Sequence, residues 1–151
     1  MRASDRLFLL VAPAAVLAVV DQAVKATVRT PWWAFHHRSH GWVALSIALL
    51  VGALLLTRVP SRVVAVAAGV MSGGAIGNLV SARSDANYVP NPLVIGTYPH
   101  AFAFNLADVF FTVGILLLMS ALIVVTLRNR DRLPPPRAWE RALLRQLHLE
   151  R

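Results

Sequence analysis

The aspartate Asp108 heads the most apolar run of the chain. It lies in FNLADVFFTVG, directly before VFFTVGILLLMSALIVVTL. An ionised carboxylate at membrane depth costs roughly 2.5–3.5 kcal/mol on insertion scales, so such a residue needs a partner or a task. Further polar groups accompany other apolar runs: Asp21 and Lys25 in DQAVK, Asn78 in GGAIGN, and Asn105 just before Asp108. If these groups meet at one depth, paired carboxylates could activate water for hydrolysis.

The composition indicates that a membrane surrounds these groups. The chain has 151 residues, 57% of them hydrophobic, and its mean hydropathy is +0.61. Four apolar runs approach the roughly 20 residues that cross a bilayer core: about Leu7 to Val28, Trp42 to Thr57, Val63 to Val80, and Asp108 to Leu127. Unpaired backbone groups are costly in lipid, so we predict an all-α integral membrane protein with four transmembrane helices. The second and third runs are short, and either helix is expected to extend beyond its run.

The distribution of lysine and arginine predicts the orientation. With the N-terminus in the cytoplasm, Lys25, Arg29, Arg38 and Arg83 lie outside and the other eleven of the 15 basic residues lie inside. This excess obeys the positive-inside rule. Both termini are then cytoplasmic, and the loop between the third and fourth helices lies outside together with the polar groups. The first span lacks a clear cleavage site, so we expect it to remain as a helix and not to be removed as a signal peptide.

Residues 134–151 differ in character from the membrane domain of residues 1–133. After three prolines, Trp139, Leu143, Leu144 and Leu147 recur at helical spacing, with arginines between them. We predict a basic amphipathic helix on the lipids of the cytoplasmic leaflet. Topology and this tail account for the net charge of +8 without a nucleic-acid partner. Cysteine is absent from the sequence, which excludes disulfides and a thiol nucleophile.

Each polar landmark also has a purely structural interpretation. Asp21 and Lys25 are four residues apart and could form a helical ion pair worth a few tenths of a kcal/mol. Gly73, Gly74 and Gly77 could serve close helix packing, a common use of small residues in membrane bundles. The gathering of all these groups at one membrane face favours a functional site.

Three segments together resemble the signal peptidase II family. They are DQAVK, GGAIGNLV and FNLADVFFTVG, in this order and on these spans. The resemblance implies a four-helix aspartic endopeptidase of the bacterial cytoplasmic membrane, with its active site facing outward. Such enzymes remove the signal peptide from lipidated prolipoproteins, and we expect a monomer without cofactor or metal. By the family pattern Asp108 is one catalytic aspartate, while Asn78, Asn105, Asp21 and Lys25 line or support the substrate site.

The outer loop departs from the family pattern. Ser81 and Ala82 stand where the family has Asp-Arg, and VPN puts Asn91 at the position of the other catalytic aspartate. An aspartic protease needs two carboxylates that share a proton, and asparagine cannot act as a base. The resemblance therefore predicts weak or absent activity, unless Asp85, the one carboxylate in that loop, serves as a substitute.

The first outer loop, TPWWAFHHRSHGWVAL, lacks the segment that the family usually has there. Its tryptophans are typical of an interfacial belt. His36, His37 and His40 could supply nitrogen ligands to a metal, but the loop has no carboxylate or cysteine to complete a set. We therefore expect this loop to contact lipid headgroups or an anionic substrate, with Arg38 as the donor.

Three functions stay open on the sequence alone. The chain is an active lipoprotein signal peptidase with an unusual second carboxylate, or a non-catalytic homologue that binds lipidated precursors or a membrane partner. The third is a small membrane subunit whose Asp21, Lys25 and Asp108 form an ion or proton pathway. Cleavage of a prolipoprotein, binding without cleavage, and ion flux in liposomes distinguish them.

Overall fold

Four long helices dominate the computed structural model, which describes residues 2–84 and 86–132. They are α1 (Ala3–Thr27), α2 (His40–Leu55), α3 (Arg62–Ser84) and α4 (Leu106–Arg128). All four are long and apolar enough to cross a membrane, which confirms the predicted four-span membrane protein. The third helix does extend past its apolar run, and the second continues through a short 3-10 turn at Leu56–Arg58. The predicted tail helix in 134–151 lies outside the described residues.

The helix boundaries follow from local chemistry. Ser39 caps α2 because its side chain accepts a hydrogen bond from the Trp42 backbone N–H at 3.2 Å. The turn between α2 and α3 contains Pro60, whose missing N–H and fixed φ interrupt a helix. Ser61 then accepts from the Val64 backbone N–H at 3.4 Å at the start of α3. Because this connection is short, α2 and α3 run antiparallel as neighbours.

The third helix is the centre of the bundle. In its apolar span 67% of the residues are buried, against 22%, 11% and 17% in α1, α2 and α4. Small residues let its backbone approach two neighbours, with Gly73 against Ala14 of α1 and Gly74 against Ala107 of α4. From the other side, Gly114 of α4 lies on the backbone of Met71. Helix α2 packs more loosely, since the smallest share of its residues is buried.

Close packing of α3 and α4 predicts a large penalty for a methyl group at Gly114. A Cβ there would overlap the Met71 backbone, which cannot move without shifting α3, so Gly114→Ala should lower the free energy of unfolding by about 1–3 kcal/mol. Gly52→Ala is the matched control, because a Cβ at Gly52 meets nothing within 4 Å. The control should be neutral or slightly stabilising through helix propensity. Unfolding in detergent checks both, and an equal effect of the two changes would contradict the packing.

Four short strands cover the end of the bundle at which α4 begins, here called the Asp108 end. Strand β1 (Phe35–His37) pairs antiparallel with β2 (Tyr88–Pro90), and β3 (Leu93–Ile95) pairs antiparallel with β4 (Phe102–Phe104). Nothing in the sequence pattern predicts these strands, since three residues are too few to show a period. The first pairing joins the α1–α2 loop to the α3–α4 loop. Both loops thereby come to the start of α4.

Candidate active site

Asp108 lies in the first turn of α4, where the helix end itself stabilises a carboxylate. The side chain of Asn105 accepts a hydrogen bond from the Asp108 backbone N–H at 2.8 Å, and the Asp108 Oδ2 accepts from the Asn105 backbone N–H at 3.4 Å. This reciprocal capping box satisfies two backbone donors that the helix leaves free. The positive end of the helix dipole also favours a negative charge there. Asp108 is therefore tolerated at this depth for a local structural reason.

A chain of polar contacts connects Asp108 to α1. Asn78 of α3 donates from Nδ2 to the Asp108 Oδ1 at 2.8 Å and accepts from the Lys25 Nζ at 3.0 Å. Lys25 in turn pairs with the Asp21 carboxylate at 2.7 Å. The predicted helical ion pair thus exists, and it is buried, with side-chain exposures of 4% for Lys25 and 0% for Asp21. The pair supports Asn78, which in turn holds the Asp108 carboxylate of α4.

Asp21 also holds the start of α4 in place. Its Oδ1 accepts the Ala107 backbone N–H at 2.8 Å, so a carboxylate on α1 caps α4 from outside that helix. Its Oδ2 accepts from the Gln22 Nε2 at 3.0 Å besides the Lys25 ammonium. Gly77 makes room for this arrangement, because a Cβ there would lie 2.6 Å from the Asp21 Oδ2. Both carboxylate oxygens of Asp21 are therefore occupied.

Ser81, which stands where the family pattern has the aspartate of Asp-Arg, links α1 to α3 in this chain. Ser81 is buried, donates to the Gly77 carbonyl at 3.2 Å and accepts from the Gln22 Nε2 at 3.3 Å. Gln22 was not among the predicted site residues. It joins α1 to α3 through the Gly77 carbonyl at 2.8 Å as well.

Asn91 is buried beside Asn105, with 1% of its surface exposed. The Asp108 backbone N–H can only donate, so the Asn105 Oδ1 faces it and the Asn105 Nδ2 faces Asn91. The Asn91 Oδ1 accepts that bond at 2.6 Å, which turns its Nδ2 toward the His36 Nδ1 at 2.9 Å. The His36 Nδ1 then accepts this hydrogen bond, which corresponds to the tautomer with its proton on Nε2. One amide, that of Asn105, separates Asn91 from Asp108.

Arg38 is the charged neighbour of Asp108 that the sequence pattern did not predict. Its guanidinium lies 3.6 Å from the Asp108 Oδ1 and 4.9 Å from the centre of the Trp42 ring, a cation–π contact. Its backbone N–H donates to the Asn87 carbonyl at 2.7 Å, so the loop pairing of β1 and β2 positions it. Its Nε is buried and has no hydrogen-bond partner among the described residues.

Two cavities flank Asp108. The narrower and more enclosed one, of about 160 Å³, lies between α2, α3 and α4 and is lined by residues that include Arg38, Trp42, Ser46 and Asn78. On the other side, an open groove of about 370 Å³ runs between the β3–β4 hairpin and α4. Its other lining residues are Ile95, Phe102, Phe104, Val109, Thr112 and Val113. Asp108 is the residue that lines both cavities.

The family model described as signal peptidase (SPase) II matches residues 30–124. The chain belongs to the signal peptidase II family. The family predicted from the three sequence segments is therefore confirmed, and the matched region holds Asn78, Asn91, Asn105 and Asp108. Asp21 and Lys25 lie before it.

Among solved structures, one similar chain is described as a bacterial membrane enzyme determined by the in meso method at 2.3 Å resolution. The TM-score is 0.55 at 17% sequence identity, over 83% of this chain and 92% of that chain. At this identity the similarity shows the fold, a multi-pass membrane bundle. No curated protein matches the chain.

Six of the residues predicted for this signal peptidase II fold come together at the Asp108 end: Asp21, Lys25, Asn78, Asn91, Asn105 and Asp108. The seventh, Asp85, lies outside the described residues. His36 joins the cluster through Asn91, whereas the His37 ring packs edge-on against Tyr88 at 5.2 Å. Within residues 2–84 and 86–132, no group of three or more His, Asp or Glu side chains could hold a metal ion.

Proposed function

We propose that this chain acts in lipoprotein maturation, binding the signal-peptide region of lipidated prolipoproteins beside Asp108, with hydrolysis there weak or absent. The substrate class follows from membership of the signal peptidase II family. Its setting is the bacterial cytoplasmic membrane, and the Asp108 end faces outward. The observation that carries the loss of hydrolysis is the buried amide of Asn91. The family resemblance puts this residue at the position of the second catalytic aspartate.

Hydrolysis by an aspartic protease needs two carboxylates that share one proton, one activating water and the other polarising the scissile carbonyl. The Asn91 amide cannot accept a proton, because a carboxamide is not a base; its Oδ1 and Nδ2 are hydrogen-bonded to Asn105 and His36. Of the other acidic side chains in the described part of the chain, Asp5 and Asp131 belong to the opposite end of the bundle. Asp21 is fully buried and its oxygens are occupied.

Among the residues that the structure describes, the charged group paired with Asp108 is a cation and not a second carboxylate. Arg38 lies where its guanidinium can hydrogen-bond a peptide carbonyl in the 160 Å³ cavity while it pairs with Asp108. The open groove on the other side offers phenylalanine and aliphatic surface to the apolar part of a lipidated signal peptide. Arg38 and Asp108 beside an apolar groove can bind a lipidated signal peptide without transferring a proton.

Binding without cleavage is the expected result in detergent with a fluorescent, lipidated model prolipoprotein. The wild type should bind it more tightly than the unlipidated precursor and release no signal peptide. Val113→Trp, which fills the groove at α4, should weaken binding about tenfold or more. Val124→Trp is the matched control, since both valines lie on α4 and both are 45% exposed, but Val124 does not line the groove. Fluorescence anisotropy measures the affinity, and gel analysis detects release.

Two outcomes would overturn the proposal. Signal-peptide release by the wild type, lost in Asp108→Asn, would make the chain a working peptidase, and loss in Asp85→Asn as well would assign the second carboxylate to Asp85. Equal affinity for lipidated and unlipidated precursor, unaffected by Val113→Trp, would mean that the groove beside Asp108 is not the binding site.

A further inference from the structure

A separate groove of about 760 Å³ runs between α2 and α3, away from the Asp108 cavities. Val43 and Ile47 of α2 line it on one side, and Ile76 and Val80 of α3 line it on the other. The groove exists because α2 buries little of its surface against its neighbours. It shares no lining residue with either cavity beside Asp108.

The groove continues toward the middle of the membrane. A second apolar cavity of about 420 Å³ is lined by Leu50 and Leu54 of α2, by Ser72 and Ile76 of α3, and by residues of α1. Ile76 lines both spaces, so they adjoin. From Arg83 to Ser72 the trough follows eleven residues of α3, about 16 Å at the helical rise. One leaflet of a hydrocarbon core is about 15 Å thick, which matches this length.

The mouth of the groove carries positive potential. Arg83, in the last turn of α3, is exposed and makes no hydrogen bond or ion pair with another described residue. His40, the first residue of α2, lies at the same mouth, where the positive end of the α2 dipole favours an anion. A guanidinium at the end of a membrane helix binds phosphate oxygens well, because its donors match their geometry.

We propose that this groove binds one anionic phospholipid, with the phosphate at Arg83 and His40 and an acyl chain along the trough between α2 and α3. The positive charge at the mouth of the groove selects an anionic headgroup. The length of the trough suits an acyl chain within one leaflet. The lipid fills the gap that α2 leaves and thereby ties α2 to α3. The groove shares no lining residue with the cavities beside Asp108, so the lipid occupies a site separate from the proposed precursor site.

Native mass spectrometry of the full chain tests this proposal with two probes that share acyl chains, phosphatidylglycerol and phosphatidylcholine. The wild type should retain one phosphatidylglycerol at concentrations at which phosphatidylcholine is lost. Arg83→Gln should weaken that retention about tenfold. Arg29→Gln is the matched control, because Arg29 is an exposed arginine just after α1 that does not line the groove, and it should retain the lipid as the wild type does.

A variant in the trough separates binding of the acyl chain from attraction of the charged headgroup. Ile47→Trp fills the groove without changing any charge and should also abolish retention of phosphatidylglycerol. Equal retention of the two lipids, or equal losses in Arg83→Gln and Arg29→Gln, would overturn the proposal in favour of unspecific attraction. A lipid-free dimer whose formation Ile47→Trp prevents would assign the groove to a second copy of the chain instead.

Discussion

Asn91→Asp is expected to convert a silent protein into one that cleaves a lipidated prolipoprotein, with signal-peptide release rising at least about 100-fold, the lower range of acid–base contributions. The substitution supplies a second carboxylate one amide away from Asp108. The site already holds hydrogen-bond donors for the new carboxylate. The Asn105 Nδ2, now 2.6 Å from the Asn91 oxygen, keeps its role, and the His36 Nδ1 becomes a donor when its proton moves from Nε2.

Two further variants serve as controls for this result. Asn91→Asp combined with Asp108→Asn should be silent, because a single carboxylate cannot run the two-aspartate mechanism. Asn91→Ala should be silent as well, which excludes a gain from mere loosening of the loop. A folded Asn91→Asp variant that releases no signal peptide would mean that position 91 does not face the scissile bond. Release that persists in the double variant would point to another carboxylate, and Asp85→Asn on that background identifies it.

Hydropathy and position along the spans are enough to predict most of the candidate site. Asp21, Asn78 and Asp108 lie at the ends of apolar runs that must share one depth, so their meeting follows from four antiparallel helices. The capping role of Asn105 is also a local matter, since it precedes Asp108 by three residues. These features depend on short-range rules of helix ends and on the thickness of the bilayer.

The contacts that the sequence does not predict are those between loops. Arg38 reaches Asp108 and His36 reaches Asn91 only because β1 pairs with β2, and His36 and Asn91 are 55 positions apart in the chain. A strand of three residues carries no periodic signal, and its partner is chosen by the tertiary arrangement of the helices beneath it. The predicted contact of Arg38 with a lipid headgroup or an anionic substrate stays a prediction. The anion beside it in the structure is Asp108 itself.

Asp21→Asn is expected to destabilise the bundle by about 3–5 kcal/mol, the usual cost of removing one partner of a buried ion pair. It leaves the Lys25 ammonium, 4% exposed, without its counter-ion. Asp131→Asn makes the same chemical change in the exposed pair with Arg130, where 90% of the Asp131 side chain is accessible, and should have no measurable effect. Thermal unfolding in one detergent compares the two.

Asp21→Asn should impair the proposed function as well as the stability. Asp21 accepts the Ala107 backbone N–H and thereby caps the turn of α4 that bears Asp108. Precursor binding should therefore weaken in the folded fraction as well. Adding Lys25→Met removes the stranded charge, so the double variant should regain much of the free energy of unfolding. It should not regain binding, since Asn78 has then lost the Lys25 donor that orients its amide toward Asp108. If the double variant regains both stability and precursor binding, the Asp21–Lys25 pair serves stability only. If it regains stability alone, Asp21 and Lys25 are positioning residues of the site.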